Sequence, residues 1–293
     1  MRSSRNSCVK KRKTDCAKTF DPKCHSGHRQ NTLYIVGTGP GSYDHLSKRA
    51  TDVLESVDTI AGYTTYIDLI RPFIKDKNII STGMTKEVKR VRAAIDVALT
   101  GRSCAIVSSG DPGIYAMAGL VFEICKKENI QVLPPFSKER ALNEKSTLTV
   151  EVVPGIPALC AGASLLGAPL SHDFASISLS DLLTPWELIE KRMEAAASAD
   201  FVIVLYNPKS KRRSRQLETA QKIILKYRDK KTPAGIVVSA MRKDEIVTII
   251  PLEDLHKADV NMQTIIFIGN STSFTYLDFM VTPRGYNGKY LQT

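Results

Sequence analysis

The sequence contains no run of about eighteen apolar residues, which excludes an ordinary membrane-spanning helix. Its N-terminus has no apolar core of a secretory signal. Cysteine is scarce, six in 293 residues, and no pair has the C-x-x-C spacing of a zinc site. A disulfide framework is excluded on the same ground. Cys104, Cys125 and Cys160 lie in apolar runs and read as small core residues in a reducing, cytoplasmic compartment. No short internal repeat is present. Also missing is the last glycine of a dinucleotide fingerprint. Gly37-Thr38-Gly39-Pro40-Gly41 begins like G-x-G-x-x-G, but Ser42 occupies the sixth position. Pro40 removes a backbone N–H where a pyrophosphate would need donors. No acid ends the second strand, since Asp58 precedes the apolar run Thr59-Ile60-Ala61. These absences weigh against a nicotinamide dinucleotide.

What is present begins with charge. The formal net charge is +11, but residues 1–30 carry nine Lys/Arg against two acids and account for +7 of it. The remainder is only mildly basic, so nucleic-acid binding by the body of the protein is not expected. Residues 1–31 read as a disordered basic tail without the amphipathic pattern of a transit peptide. Cys8, Cys16, Cys24, His25 and His28 in that tail follow no ligand spacing, so no metal site is predicted.

Beyond the tail, strand and helix patterns alternate. Strands are predicted at 33–36, 59–61, 103–107 and 149–153, and helices at 45–57, 86–99, 115–127 and 158–166. Residues 134–148 are polar and read as a surface insertion. The second half continues with strands 174–180, 201–206, 234–239 and 264–268. Its helices fall at 185–197, 212–227 and 252–258. Thr184 is the predicted N-cap of the first of these, with Pro185 at N1. The last dozen residues read as loop. This pattern predicts an α/β protein with parallel sheets. It divides into an N-terminal domain, 32–153, and a C-terminal domain, 154–293, with the boundary near Pro154.

Two strands run into glycine turns, Val36-Gly37-Thr38-Gly39-Pro40-Gly41 and Val107-Ser108-Ser109-Gly110-Asp111-Pro112-Gly113. Each places bare backbone at the end of a strand, where α/β sheets bind ligands. Together they predict a nucleotide-like ligand. With Val153-Pro154-Gly155-Ile156-Pro157-Ala158, in this order, they resemble the class III, tetrapyrrole S-adenosylmethionine-dependent methyltransferases. Ala61-Gly62-Tyr63-Thr64-Thr65-Tyr66-Ile67, Gly113 to Gly119, Leu179 to Trp186 and Leu205-Tyr206-Asn207-Pro208 are similar to the branch acting on precorrin-3B or cobalt-factor III at C17. The resemblance spans roughly residues 32–285.

It implies two α/β domains with the cofactor in the cleft between them, and a homodimer. It also implies ring contraction alongside methyl transfer. Cofactor contacts carry over to Pro40, Ser109, Gly110, Asp111, Ile114, Pro157, Ala158, Asn207 and Ala240. S-adenosylmethionine has no phosphate, so small residues and apolar walls suit it better than an anion-binding helix start. Asp111 could accept from its ribose or amino group, or simply form the turn before Pro112. His172 is a candidate acid/base for contraction, because histidine titrates near neutrality. Tyr63 and Tyr66 could stack on a macrocycle, and Asp181 and Thr184 are candidate substrate contacts. The basic run Lys209, Lys211, Arg212, Arg213, Arg215 could meet substrate carboxylates or be a solvated helix face. The alternative reading is a class III methyltransferase acting on ribosomal RNA; less favoured are an RNA-binding protein using the tail and an NAD enzyme.

Overall fold

The computed structural model describes residues 31–135, 146–210, 213 and 215–290. Residues 1–30 of the predicted tail, with its Cys and His residues, residues 136–145 of the insertion, and Lys211 and Arg212 lie outside the described residues. The first half contains β1 (Thr32–Gly37), α1 (Lys48–Ser56), β2 (Thr59–Tyr63), α2 (Thr64–Asp68), β3 (Asn78–Thr82), α3 (Glu87–Leu99), β4 (Cys104–Ser108), α4 (Met117–Lys127), β5 (Gln131–Leu133) and β6 (Thr147–Val153). Its strands form one parallel sheet in the order β3-β2-β4-β1-β6-β5. The middle strands are apolar at successive positions because both faces are covered. Leu33 and Ile35 pack with Val91 and Ile95 of α3 and Val121 of α4, whereas Tyr34 and Val36 face Val53 and Leu54 of α1. Each such aliphatic side chain contributes about 1.5–3 kcal/mol by burial. Arg49 fixes α1 to β6 through a bidentate pair with Glu151, both contacts 2.7 Å.

The second half contains α5 (Ala158–Leu166), β7 (Gly167–Ala168), β8 (Phe174–Ser178), α6 (Trp186–Ser198), β9 (Val202–Tyr206), α7 (Gln216–Ile224), β10 (Pro233–Val238), β11 (Ile246–Pro251), β12 (Thr264–Ile268), β13 (Phe274–Tyr276), β14 (Phe279–Val281) and α8 (Tyr286–Tyr290). The main sheet runs β11-β10-β12-β9-β8, and β7, β13 and β14 form a small separate one. Here the expectation of a parallel sheet is corrected. Within the main sheet's described strands only β8 and β9 pair in parallel; β12 inserts antiparallel between β9 and β10, and β11 returns antiparallel along β10. The few residues between Val238 and Ile246 allow a hairpin return but no crossover. β9 and β10 still run the same way, each being antiparallel to β12.

Several predicted boundaries move for local reasons. α1 starts at Lys48 because Ser47 caps it, its side chain accepting from Ala50 N at 3.1 Å. α4 starts at Met117 because Tyr115 has φ +51, outside the helical region. Pro185, not Thr184, is the N-cap of α6, and it makes no side-chain capping bond. α7 is shorter than predicted and begins after Arg215. The C-terminal stretch predicted as loop contains α8. Cys104 and Cys125 are buried as predicted, and burial pushes the Cys104 thiol up to about 12. Cys160 is exposed, a correction to its reading as core.

Candidate functional site

Three predicted turns meet because their strands are neighbours. In the register Gly37 lies opposite Ser108 and Val36 opposite Val153, so the chain leaves β4, β1 and β6 side by side. Gly39 and Gly110, both at φ +67, exchange backbone hydrogen bonds: Gly110 N donates to Gly39 O at 2.8 Å and Gly39 N to Gly110 O at 3.2 Å. A Cβ on Gly37 would stand 2.6 Å from both Gly110 O and Gly155 N, and one on Gly155 would be driven into the Gly110 carbonyl. Only glycine permits this backbone-on-backbone junction. Asp111 ties it together: Oδ1 accepts from Gly113 N at 2.8 Å and Oδ2 from Gly155 N at 3.2 Å. The turn-forming reading of Asp111 is therefore observed, and each oxygen keeps a lone pair. A Cβ on Gly110 would face the start of α5, 3.6 Å from Pro157 Cα and 3.8 Å from Ala158 N.

The second sheet contributes its own strand ends. β8, β9 and β10 run in one direction, so Ser178, Asn207 and the segment Ser239–Arg242 share an edge. Asn207, Ser239 and Met241 have φ of +53, +51 and +60. Such backbone costs on the order of 1–3 kcal/mol per residue and persists only where surroundings enforce it. Asn207 Nδ2 donates to Ser178 Oγ at 2.9 Å, and Met241 N donates to Glu245 Oε2 at 2.6 Å. Ser239 Oγ donates to Asp244 Oδ2 at 2.8 Å.

The two halves touch through an apolar wall and through polar contacts. Ile114 of the first half packs against the cluster holding Leu159, Ala240 and Phe267, as do Ala158 and Tyr206. Tyr206 Oη accepts from Leu159 N at 3.0 Å, satisfying one free N–H at the start of α5. Burial pushes its phenol up to about 12. Tyr115 reaches across, its hydroxyl donating to Ser176 O at 2.8 Å and its ring 5.1 Å from that of Tyr206. Arg242 reaches the other way: Nε donates to Pro40 O at 2.6 Å and Nη2 to Ser109 Oγ at 3.3 Å. Predicted residues Pro40, Ser109, Gly110, Asp111, Ile114, Pro157, Ala158 and Ala240 are thus gathered around one junction, and Asn207 ends the strand beside it. Tyr115, Tyr206 and Arg242 were not assigned from sequence. The tyrosines lie within motifs that carry the resemblance, whereas Arg242 carries no local signal.

Other predicted residues are placed differently. Tyr63 ends β2, on the same edge as the glycine turns, and packs edge-to-face on Tyr66 with centroids 5.2 Å apart. Burial raises the Tyr66 phenol. Asp181 and Thr184 lie on the exposed loop leaving β8, where Asp181 Oδ2 accepts from Gln216 Nε2 at 3.0 Å. In the basic run, Arg213 Nη1 donates to Ser180 Oγ at 3.0 Å. His172 is not brought to the site. It precedes β8, at the opposite edge of the sheet, and its Nδ1 accepts from Asp173 N at 2.8 Å. Its neighbour there is Asp200. Burial pushes that carboxyl up, but hydrogen bonds from Ser271 and the charges of Arg228 and His172 hold it low overall.

Comparison with known proteins matches this arrangement to a family. The family model for tetrapyrrole (corrin/porphyrin) methylases covers residues 32–256. A cobalt-factor III methyltransferase of Priestia megaterium is 48% identical over 88% of the chain, and the chain spans only 46% of that relative's length. A probable cobalt-factor III C(17)-methyltransferase of Salmonella typhimurium is 43% identical over 87% of the chain and 99% of the relative. A precorrin-3B C(17)-methyltransferase of a Sinorhizobium species is 34% identical over 88% of the chain and 98% of its own length. Among solved structures, the methyltransferase CobJ superposes with a TM-score of 0.75 at 30% identity, covering 86% of this chain and 99% of that one.

Proposed function

This chain belongs to the tetrapyrrole (corrin/porphyrin) methylases, and we propose that it transfers a methyl group from S-adenosylmethionine to C17 of precorrin-3B or cobalt-factor III in corrin biosynthesis. The observation that carries the proposal is the convergence of three glycine-containing turns on the start of α5 and on the ends of β9 and β10. The relatives named above support the choice of substrate.

The residues present fit the cofactor. Gly110 and Ala158 bring small residues and bare backbone together, Ile114 and Ala240 supply apolar wall, and no phosphate-binding glycine loop is needed. S-adenosylmethionine, when bound, supplies a methyl group already activated by its sulfonium. The chain's part is to bind, orient and exclude water. Pro40, Ser109, Gly110, Asp111 and Ile114 would hold it from the first half, and Pro157, Ala158, Asn207 and Ala240 from the second. Asp111 acts first as the tie between turns, and its remaining lone pairs can accept from a donor of the ligand. Tyr63 and Tyr66, at the end of β2, offer an aromatic surface to the flat substrate. Asp181 and Thr184 are kept as substrate contacts at the rim. Ring contraction would need a proton carrier other than His172. The domain boundary near Pro154, a homodimer and a cytoplasmic setting belong to the same proposal. A ribosomal RNA substrate has no observation in its favour.

The test is incubation of the full chain with labelled S-adenosylmethionine and, separately, precorrin-3B, cobalt-factor III and ribosomal RNA. The expected result is label at C17 of one tetrapyrrole. Label in RNA alone, or none in either tetrapyrrole, would overturn the assignment.

A further inference from the structure

The segment after β10 is built to present one cation. Ser239 and Met241 flank Ala240 in left-handed backbone, and each is braced by an acid that follows Arg242. Ser239 Oγ takes Asp244, and Met241 N takes Glu245. The two carboxylates nearest Arg242 in sequence are therefore engaged elsewhere. Among the described residues no carboxylate lies within ion-pair distance of the Arg242 guanidinium; its partners are a carbonyl and a hydroxyl, Pro40 O and Ser109 Oγ. Both belong to the glycine turns of the other half of the chain. The arginine passes directly over Gly41, where a Cβ would stand 2.8 Å from its Nε and 3.3 Å from its Cγ. Gly41 thus leaves room for this side chain. Two of its five N–H donors are used, and a guanidinium fork is well matched to a carboxylate. Its charge is felt at Tyr66, where it draws the raised phenol back down.

Resting on the methyltransferase reading, we propose that Arg242 is a carboxylate-binding residue of the cleft, held by neutral acceptors on both glycine turns until an anionic ligand group arrives. Two ligands could bring that group: the amino-acid end of the cofactor, or an acidic side chain of the tetrapyrrole.

The experiment measures binding of S-adenosylhomocysteine and of 5′-methylthioadenosine, which lacks the amino-acid end, to the wild type, Arg242→Gln and Arg242→Lys. Melting temperatures of all three control for folding, and Lys serves for the same comparison if Gln does not fold. If the cofactor is the source, Arg242→Gln weakens S-adenosylhomocysteine by about tenfold or more and leaves methylthioadenosine unchanged, as loss of a charged hydrogen bond requires. If the substrate is the source, both affinities hold, and KM for the tetrapyrrole rises about tenfold or more with kcat little changed. In either case Lys restores part of the loss. Equal weakening of both nucleosides would mean that Arg242 only braces the turns, and would overturn the proposal. So would no change in any of the three quantities. Failure of the wild type to bind S-adenosylhomocysteine would strike down the methyltransferase reading itself, before any variant is compared.

Discussion

The two halves of the cleft solve the same backbone problem in opposite ways. In the first sheet, tight approach of three chains is made possible by removing side chains: Gly37 and Gly155 leave no space for a Cβ, and Gly110 turns at φ +67. In the second sheet, unusual backbone is imposed on residues that keep their side chains. Asn207, Ser239 and Met241 are forced into the left-handed region and held by Ser178, Asp244 and Glu245. The first solution is rigid and intolerant of any added atom. The second stores strain and depends on side-chain bonds, so it degrades by degrees. A third region marks the contrast further. The opposite edge of the second sheet is closed by Arg228, whose buried guanidinium binds the carbonyls of Ala197, Phe201 and Gly269 and lies 3.2 Å from Asp200. That edge is structural, and His172 sits there.

The sharpest way to break the comparison is Gly155→Ala. The added methyl meets backbone on two sides, so the loss should reach or exceed about 3 kcal/mol, with cofactor binding lost. Denaturant unfolding would show it, and a near-neutral result would mean the junction can open cheaply. Next comes Asp111→Ala, which leaves Gly113 N and Gly155 N without their acceptor. A loss of about 1–3 kcal/mol and weaker S-adenosylhomocysteine binding are expected; unchanged affinity by calorimetry would remove Asp111 from the site. Asn207→Ala gives up the Ser178 bond while keeping the left-handed strain, and should cost about 1–2 kcal/mol. Asn207→Gly relieves that strain and should recover part of the loss, which separates strain from bonding.

Tyr206→Phe is smaller, about 1 kcal/mol for the lost bond to Leu159 N. Its pH signature is more specific. The folded phenol titrates at about 12 against an ordinary value of 10.0, so its contribution is complete below pH 10 and is lost as pH rises toward 12. Between those values the stability of Tyr206→Phe should fall less steeply than that of the wild type; parallel curves would contradict the burial argument. Smallest of all is His172→Ala, which should leave methyl transfer within about twofold of wild type, as for a surface change away from the site. A large fall in turnover would return His172 to the mechanism.

Legibility from sequence followed the same division. The glycine solution announces itself, because only glycine fits and three glycine motifs recur after apolar strands. Those motifs carry the family resemblance, and Pro40, Ser109, Gly110, Asp111 and Ile114 were named through it. The strained solution is silent: nothing in the residue types of Ser239 or Met241 announces a positive φ, which depends on the bonds to Asp244 and Glu245. Arg242 went unassigned on the same account, its partners lying 202 and 133 residues away. The βαβα alternation of the first half was readable apart from the short elements α2, β3 and β5. In the second, β11 has a β-branched run, Ile246-Val247-Thr248-Ile249-Ile250, as clear as that of β10, and went unread. The antiparallel insertion of β12 is a matter of pairing, which periodicity does not encode. His172 shows the remaining weakness. A titratable residue near a strand is visible in sequence, but which end of the sheet it occupies is not.

The central claim is that the converging turns form a nucleoside-thioether site and not a dinucleotide or RNA site. Thermal unfolding of the full chain with S-adenosylhomocysteine, NAD and a short RNA tests it most directly. At about 100 times its dissociation constant, a true ligand stabilises by roughly 2.7 kcal/mol. For a chain of this size that is a rise of several degrees in Tm. The account predicts that rise with S-adenosylhomocysteine alone. A rise with NAD or RNA, and none with S-adenosylhomocysteine, would contradict it.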